Sequence, residues 1–118
     1  MAYTGPERRK HPRINNAHFV VSYRILEDID NVDISQTKNL CLGGMLLTTN
    51  QEFPIGTNLA LKIRLPFDPH PITLVAKVQG SRQIIKDFLY DTRLEFLAVD
   101  ENHRKIIIKT VEHYLKKG

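Results

Sequence analysis

Residues 58–66 read NLALKIRLP, and their pattern decides which kind of fold the chain adopts. The larger apolar side chains recur at every second position, at Leu59, Leu61, Ile63 and Leu65. Successive side chains of a β-strand point to opposite faces, so this alternation predicts a strand with one buried and one exposed face. It is the clearest strand pattern in the chain.

Segments on both sides of this strand have strand-like composition or alternation. They span residues 17–26, 35–42, 45–49, 72–85 and 88–96. We expect Gly43-Gly44 to break the chain sharply between two of these strands, and Lys86-Asp87 to form the turn of a hairpin. We also expect the long segment 72–85 to be interrupted near Gly80.

The period of the sequence changes near its end. Asp100 is a good helix N-cap, because its side-chain oxygen can accept a hydrogen bond from the first turn. Apolar residues then recur at helical spacing, at Ile107, Val111, Tyr114 and Leu115. Six strands followed by one amphipathic helix predict an all-β fold, a six-stranded antiparallel β-barrel with a C-terminal α-helix packed on it.

Length and charge suggest how the chain is organised. Its 118 residues suit one domain, which we divide into a flexible basic arm (residues 1–16), a barrel (17–99) and a helix (100–116). The net charge of +4 is uneven, because the first 13 residues carry +3, the barrel segment −1 and residues 100–118 carry +2. A basic arm on a nearly neutral body is typical of a protein with an anionic partner.

Several classes of protein are disfavoured by composition. The longest apolar uncharged run, residues 40–47, is eight residues long, whereas ~20 are needed to span a membrane. No signal peptide is visible and Cys41 is the single cysteine, so we expect a cytoplasmic protein without a disulfide. The five histidines show no metal-ligand spacing, and no nucleophile–base constellation or phosphate-cradling glycine loop is present. We therefore expect neither a metal site nor catalysis.

The arm carries the first group of candidate binding residues. Arg8, Arg9, Lys10 and Arg13 lie within six positions, and Pro12 disfavours a helix there. Guanidinium groups suit a compact anion with flat rings. Arginine donates paired hydrogen bonds to phosphate oxygens, can contact guanine O6 and N7, and stacks on planar rings.

A second group follows about thirty residues later in the sequence Asn39-Leu-Cys-Leu-Gly-Gly44. Asn39 and Cys41 are two positions apart, so their side chains share one face of a strand. Gly44 allows a sharp turn or a close approach of the backbone to a ligand.

The two groups together resemble the signature of the PilZ domain family, receptors for the bacterial second messenger cyclic di-GMP. That signature is RxxxR in an N-terminal arm, followed by (D/N)xSxxG at the end of an early strand. Arg9 and Arg13 match the first motif, and Asn39 and Gly44 match the outer positions of the second, with Cys41 at the serine position. The resemblance covers nearly the whole chain and implies the same barrel with a C-terminal helix.

The resemblance also implies a function. The chain would be a non-enzymatic receptor without a cofactor, which orders its arm on cyclic di-GMP and signals to an unidentified protein partner. The ligand-binding residues it implies are Arg8, Arg9, Arg13, Asn39, Cys41 and Gly44, with Lys10 and Arg82 as additional candidates. Arg8 directly before RxxxR implies two ligands per chain.

Two alternatives remain open at the level of sequence. The chain could be a PilZ-type adaptor that binds proteins but not cyclic di-GMP. Cys41 at the family's serine position and Gly80 at a position where many members carry an aromatic residue support this. It could also be a nucleic-acid-binding module that uses the basic arm, although the near-neutral body and sparse aromatic residues disfavour that.

Overall fold

The computed structural model describes residues 13–15 and 18–117 of the chain. Within these ranges there are seven strands and one helix, whose bounds are as follows. The strands are β1 (Arg13–Asn15), β2 (Val20–Ile25), β3 (Asp33–Cys41), β4 (Gly44–Thr49), β5 (Asn58–Ile63), β6 (Ile72–Ile85) and β7 (Leu89–Val99), and the helix is α1 (Glu101–Lys117).

Six of the strands close into a barrel. The order around it is β3, β2, β5, β6, β7 and β4, every pairing is antiparallel, and a β3–β4 pairing closes the ring. The all-β prediction of a six-stranded antiparallel barrel with a C-terminal helix is therefore confirmed. Closure also gives the backbone of each barrel strand two neighbours, which removes the exposed edges of an open sheet.

The core follows from the alternation that predicted the fold. On β5, Leu59, Leu61 and Ile63 are at most 2% exposed, whereas Lys62 between them points to solvent. Inward-facing residues of the other strands join them in one apolar cluster. Burial of this kind contributes roughly 1.5–3 kcal/mol per large side chain, so the alternating strands are the main source of stability.

Strand β1 was not expected from the sequence and lies within the segment assigned to the arm. The expected arm extended to residue 16, but residues 13–15 pair with β3, with Ile14 opposite Leu40. Ile14 is 4% exposed and belongs to the core cluster. The last residues of the expected arm are thus attached to the barrel by an apolar anchor.

Strand β6 is continuous where an interruption was expected. It runs through Gly80 without a break, and its register against β7 shifts by one residue between Val78 and Gly80. A β-bulge accommodates the extra residue while the ladder continues on both sides. The turn expected at Lys86-Asp87 is present, and Asp87 takes a positive φ of 57° in it.

The helix begins as predicted and packs on the barrel through a slightly different face. The side chain of Asp100 accepts a hydrogen bond from the Asn102 N–H at 2.7 Å, which confirms the N-cap. Ile107 is fully buried, but Leu115 is 42% exposed, so placing Leu115 on the buried face was wrong. The buried stripe also includes Thr110, and Leu115 lies about 90° round the helix from its centre. Within the described ranges, no helix is long and apolar enough to cross a membrane.

Candidate functional site

The outer surface of the barrel carries an open cleft of about 590 Å³. Its walls come from the end of β3, the start of β4, and the middle parts of β6 and β7. Four residues predicted from the sequence line it together, and they are Asn39, Cys41, Gly44 and Arg82. The closed barrel brings them to one place although Arg82 is far from the other three in sequence.

Asn39 and Cys41 share a face of β3, as their spacing predicted. Both line the cleft, whereas Leu40 between them is fully buried on the opposite face. The register of β3 against β4 shifts between Thr37 and Asn39, and there the Oδ1 of Asn39 accepts a hydrogen bond from the Leu46 N–H at 2.9 Å. This contact occupies the carbonyl oxygen of Asn39, so its amide group is the donor left to face a ligand.

Gly44 lines the cleft, and the sharp turn that was one expected reason for a glycine does not require it. It does not have a positive φ, so the turn does not require glycine at this position. A Cβ atom here would overlap the carbonyl oxygen of Leu94 on β7. Gly44 therefore permits the close approach of β4 to β7, and that approach forms the floor of the cleft.

Strand β1 brings the end of the arginine motif to the rim of this cleft. The backbone of Arg13 lies opposite Cys41, and Cys41 in turn lies opposite Gly44 at the start of β4. Arg8, Arg9 and Lys10 lie outside the described residues.

The described wall of the cleft is formally neutral. It contains two arginines and two carboxylates, namely Arg82, Arg93, Asp91 and Glu95. Asp91 is buried and lies 2.7 Å from the Lys38 Nζ and 3.7 Å from the Arg82 Nη2. Arg82 therefore already has a carboxylate of the protein as an ionic partner.

The sequence reasoning missed Lys38, Asp91 and Arg93. Asp91, Arg93 and Glu95 occur at alternate positions of β7, which places three charged side chains on one face. That alternation was the available signal, but which strand faces the motif residues depends on how the barrel closes. Within the described ranges, no three His, Cys, Asp or Glu side chains are close enough to hold a metal ion.

The fold and cleft define a class of small antiparallel barrel domains with a C-terminal helix and a site on the outer surface of the barrel. Comparison with family models finds the PilZ domain over residues 7–113. The match covers most of the chain, and the chain belongs to the PilZ domain family. The resemblance drawn from the two motifs is thereby confirmed.

Solved structures agree with this assignment at the level of the fold. An inhibitor of motility from Bacillus subtilis, MotI/DgrA, superposes with a TM-score of 0.77 at 21% identity, over 96% of this chain and 54% of that one. The PilZ domain of YcgR from Escherichia coli, solved with c-di-GMP, gives 0.65 at 16% identity and covers 94% of both chains. A K. pneumonia MrkH–c-di-GMP complex gives 0.72 at 18% identity, over 95% of this chain and 54% of that one.

The chain thus spans about half the length of two of these three structures. A search of curated proteins by sequence finds no match.

Proposed function

We propose that this chain is a non-enzymatic cytoplasmic receptor for cyclic di-GMP that binds the ligand between its basic arm and the cleft. The observation that carries the proposal is the pairing of β1 with β3. It sets the last arginine of RxxxR opposite Cys41, within the second motif. Two PilZ structures with the same fold were solved with c-di-GMP, which supports the same ligand class here.

The charge distribution gives this arrangement a physical reason. The ligand carries two phosphates, whereas the described wall of the cleft is formally neutral. The positive charge must therefore come from elsewhere, and the arm supplies it through Arg8, Arg9, Lys10 and Arg13. In this proposal the arginines contact phosphates and guanine edges, and the Asn39 amide donates to a guanine acceptor.

Ligand binding also provides a route to signalling. Fixing the arm against the barrel would create a composite surface of arm, ligand and cleft rim that is absent in the free protein. We propose that a partner protein reads that surface.

Isothermal titration calorimetry with cyclic di-GMP tests the proposal. We expect the unaltered chain to bind, and Arg9→Ala or Arg13→Ala to abolish measurable binding. Loss of a charge-assisted bidentate contact costs on the order of 2–5 kcal/mol when its partner is buried. The circular dichroism spectra should stay unchanged, because the apolar anchor Ile14 is retained in both variants. If both variants bind like the unaltered chain, the ligand lies elsewhere.

The alternative is an adaptor that binds proteins without cyclic di-GMP. Cys41 favours it, because a thiol is a much weaker hydrogen-bonding group than the hydroxyl found at this position in the family. Failure of the unaltered chain to bind in the same titration, with an intact spectrum, would support the adaptor.

A further inference from the structure

Among the charged side chains of the cleft, Arg93 alone has neither an ion pair nor a side-chain hydrogen bond within the described part of the chain. Asp91 is paired with Lys38 and Arg82, and Glu95 accepts a hydrogen bond from the Gln79 Nε2 at 2.9 Å. Within the described part of the chain, Arg93 makes no ion pair, and its side chain is exposed in the cleft. Its guanidinium is therefore available to a ligand.

The guanidinium of Arg93 lies beside a glycine on the neighbouring strand. Arg93 lies directly opposite Gly80 in the β6–β7 ladder. A Cβ atom at Gly80 would lie 3.4 Å from the Arg93 Nη2 and 3.9 Å from its Cζ. The guanidinium thus lies at van der Waals distance from the position of a Cβ at residue 80, and it is exposed in the cleft.

The charges next to Arg93 decide what it can bind. Asp91 and Glu95 are two positions away on the same strand and also line the cleft. Asp91 is neutralised by its ion pairs, but Glu95 has only the neutral Gln79 amide as a partner, and its negative charge makes this an unfavourable place for a phosphate. A neutral flat ring meets no such repulsion, and guanidinium planes stack well on such rings.

We propose that Arg93 is a ligand-contacting residue on which a guanine ring of cyclic di-GMP stacks. This inference rests on the proposed receptor function and adds a base-binding contact from the barrel wall. Arg93 would add a stacking contact to the guanine contacts proposed above for the arm arginines and Asn39.

Calorimetry with cyclic di-GMP on single variants tests the contact. Arg93→Ala should raise the Kd about 5- to 100-fold, which is the usual effect of removing a stacking side chain. Arg93→Lys should weaken binding similarly, because it keeps the charge but removes the plane. Arg64→Ala is the matched control: Arg64 is exposed and outside the cleft, so its loss removes the same charge without the contact.

A rescue experiment separates stacking from charge. The chain has no tryptophan, so Gly80→Trp combined with Arg93→Ala places a single indole ring in the vacated space. We expect this double variant to recover most of the lost affinity and its fluorescence to change on ligand addition, because the indole ring also stacks on bases.

Three results would overturn the inference. If Arg93→Ala binds like the unaltered chain, the contact does not exist and the receptor proposal still stands. If Arg93→Lys binds like the unaltered chain, or the double variant binds no better than Arg93→Ala, the contribution of Arg93 is charge alone. If the unaltered chain does not bind cyclic di-GMP, both proposals fail together.

Discussion

Asn39 and Gly44 of the second motif stabilise the barrel, in addition to the binding roles proposed for them. The Oδ1 of Asn39 satisfies the Leu46 N–H where the β3–β4 register shifts, and the missing side chain of Gly44 lets β4 approach the Leu94 carbonyl. Removing the Asn39 carbonyl oxygen, or adding a side chain at position 44, therefore disturbs the cleft even without a ligand. Loss of binding in variants at these positions therefore identifies a contact only if stability is measured as well.

Two glycines of the cleft allow this point to be tested. Gly44→Ala should lower the free energy of unfolding by about 1–3 kcal/mol, because the new methyl group meets backbone that must shift. Gly80→Ala should change it by less than about 1 kcal/mol, because the nearest atoms belong to the exposed end of the Arg93 side chain. Urea denaturation of the two variants gives the comparison. Equal losses would contradict the assignment of Gly44 to strand packing.

The parts of the site that could be predicted are those formed by residues close together in the sequence. The parts formed by residues that only the fold brings together could not. The shared face of Asn39 and Cys41 follows from their spacing alone, because side chains of any strand alternate. The Lys38–Asp91 ion pair could not be anticipated, because it joins residues on strands that do not pair with each other. Arg93 was missed for another reason: its position opposite Gly80 depends on the register of β6 against β7, which shifts between Val78 and Gly80.

Among the secondary-structure elements, the longer ones were predicted and the shortest was missed. Six strands and the helix have an apolar period that extends over enough residues to be recognised. Strand β1 has three residues, Arg13–Asn15, which is too short for a period. Its position depends on Ile14 entering the core beside Leu40. A three-residue element whose position depends on a tertiary pairing leaves little trace in sequence.

The helix α1 lies against β1, the strand that carries Arg13. Its packing therefore supports the position of β1. Ile107→Ala should lower the free energy of unfolding by about 2–5 kcal/mol, because Ile107 is fully buried and its loss leaves a cavity. Leu115→Ala, on the same helix but 42% exposed, is the matched control and should cost less than about 1 kcal/mol. Thermal or urea unfolding measures both. A larger loss for Leu115→Ala would contradict the observed orientation of α1.

In the molecule as a whole, the cleft and the excess positive charge lie in different parts of the chain. The barrel supplies a shaped cleft whose described wall is formally neutral, and the excess positive charge is concentrated in the first 13 residues. In the proposed receptor, affinity for an anionic ligand would depend on both the cleft and the arm. Attraction between exposed charges is screened by salt, and binding should weaken as ionic strength rises.

The same charge distribution leads to a prediction about stoichiometry. Two stacked cyclic di-GMP molecules bring four phosphates into one site, and their repulsion requires additional positive charge nearby. Arg8, Arg9, Lys10 and Arg13 provide four positive charges within six residues, and a guanidinium plane can also stack on an outer guanine. We expect calorimetry to give two ligands per chain, falling to one in Arg8→Leu, because that substitution removes both a charge and a plane. Lys62→Leu, which removes an exposed charge from β5 on a wall outside the cleft, should leave the ratio at two. A ratio of one for the unaltered chain would contradict the stacked pair while leaving the receptor proposal intact.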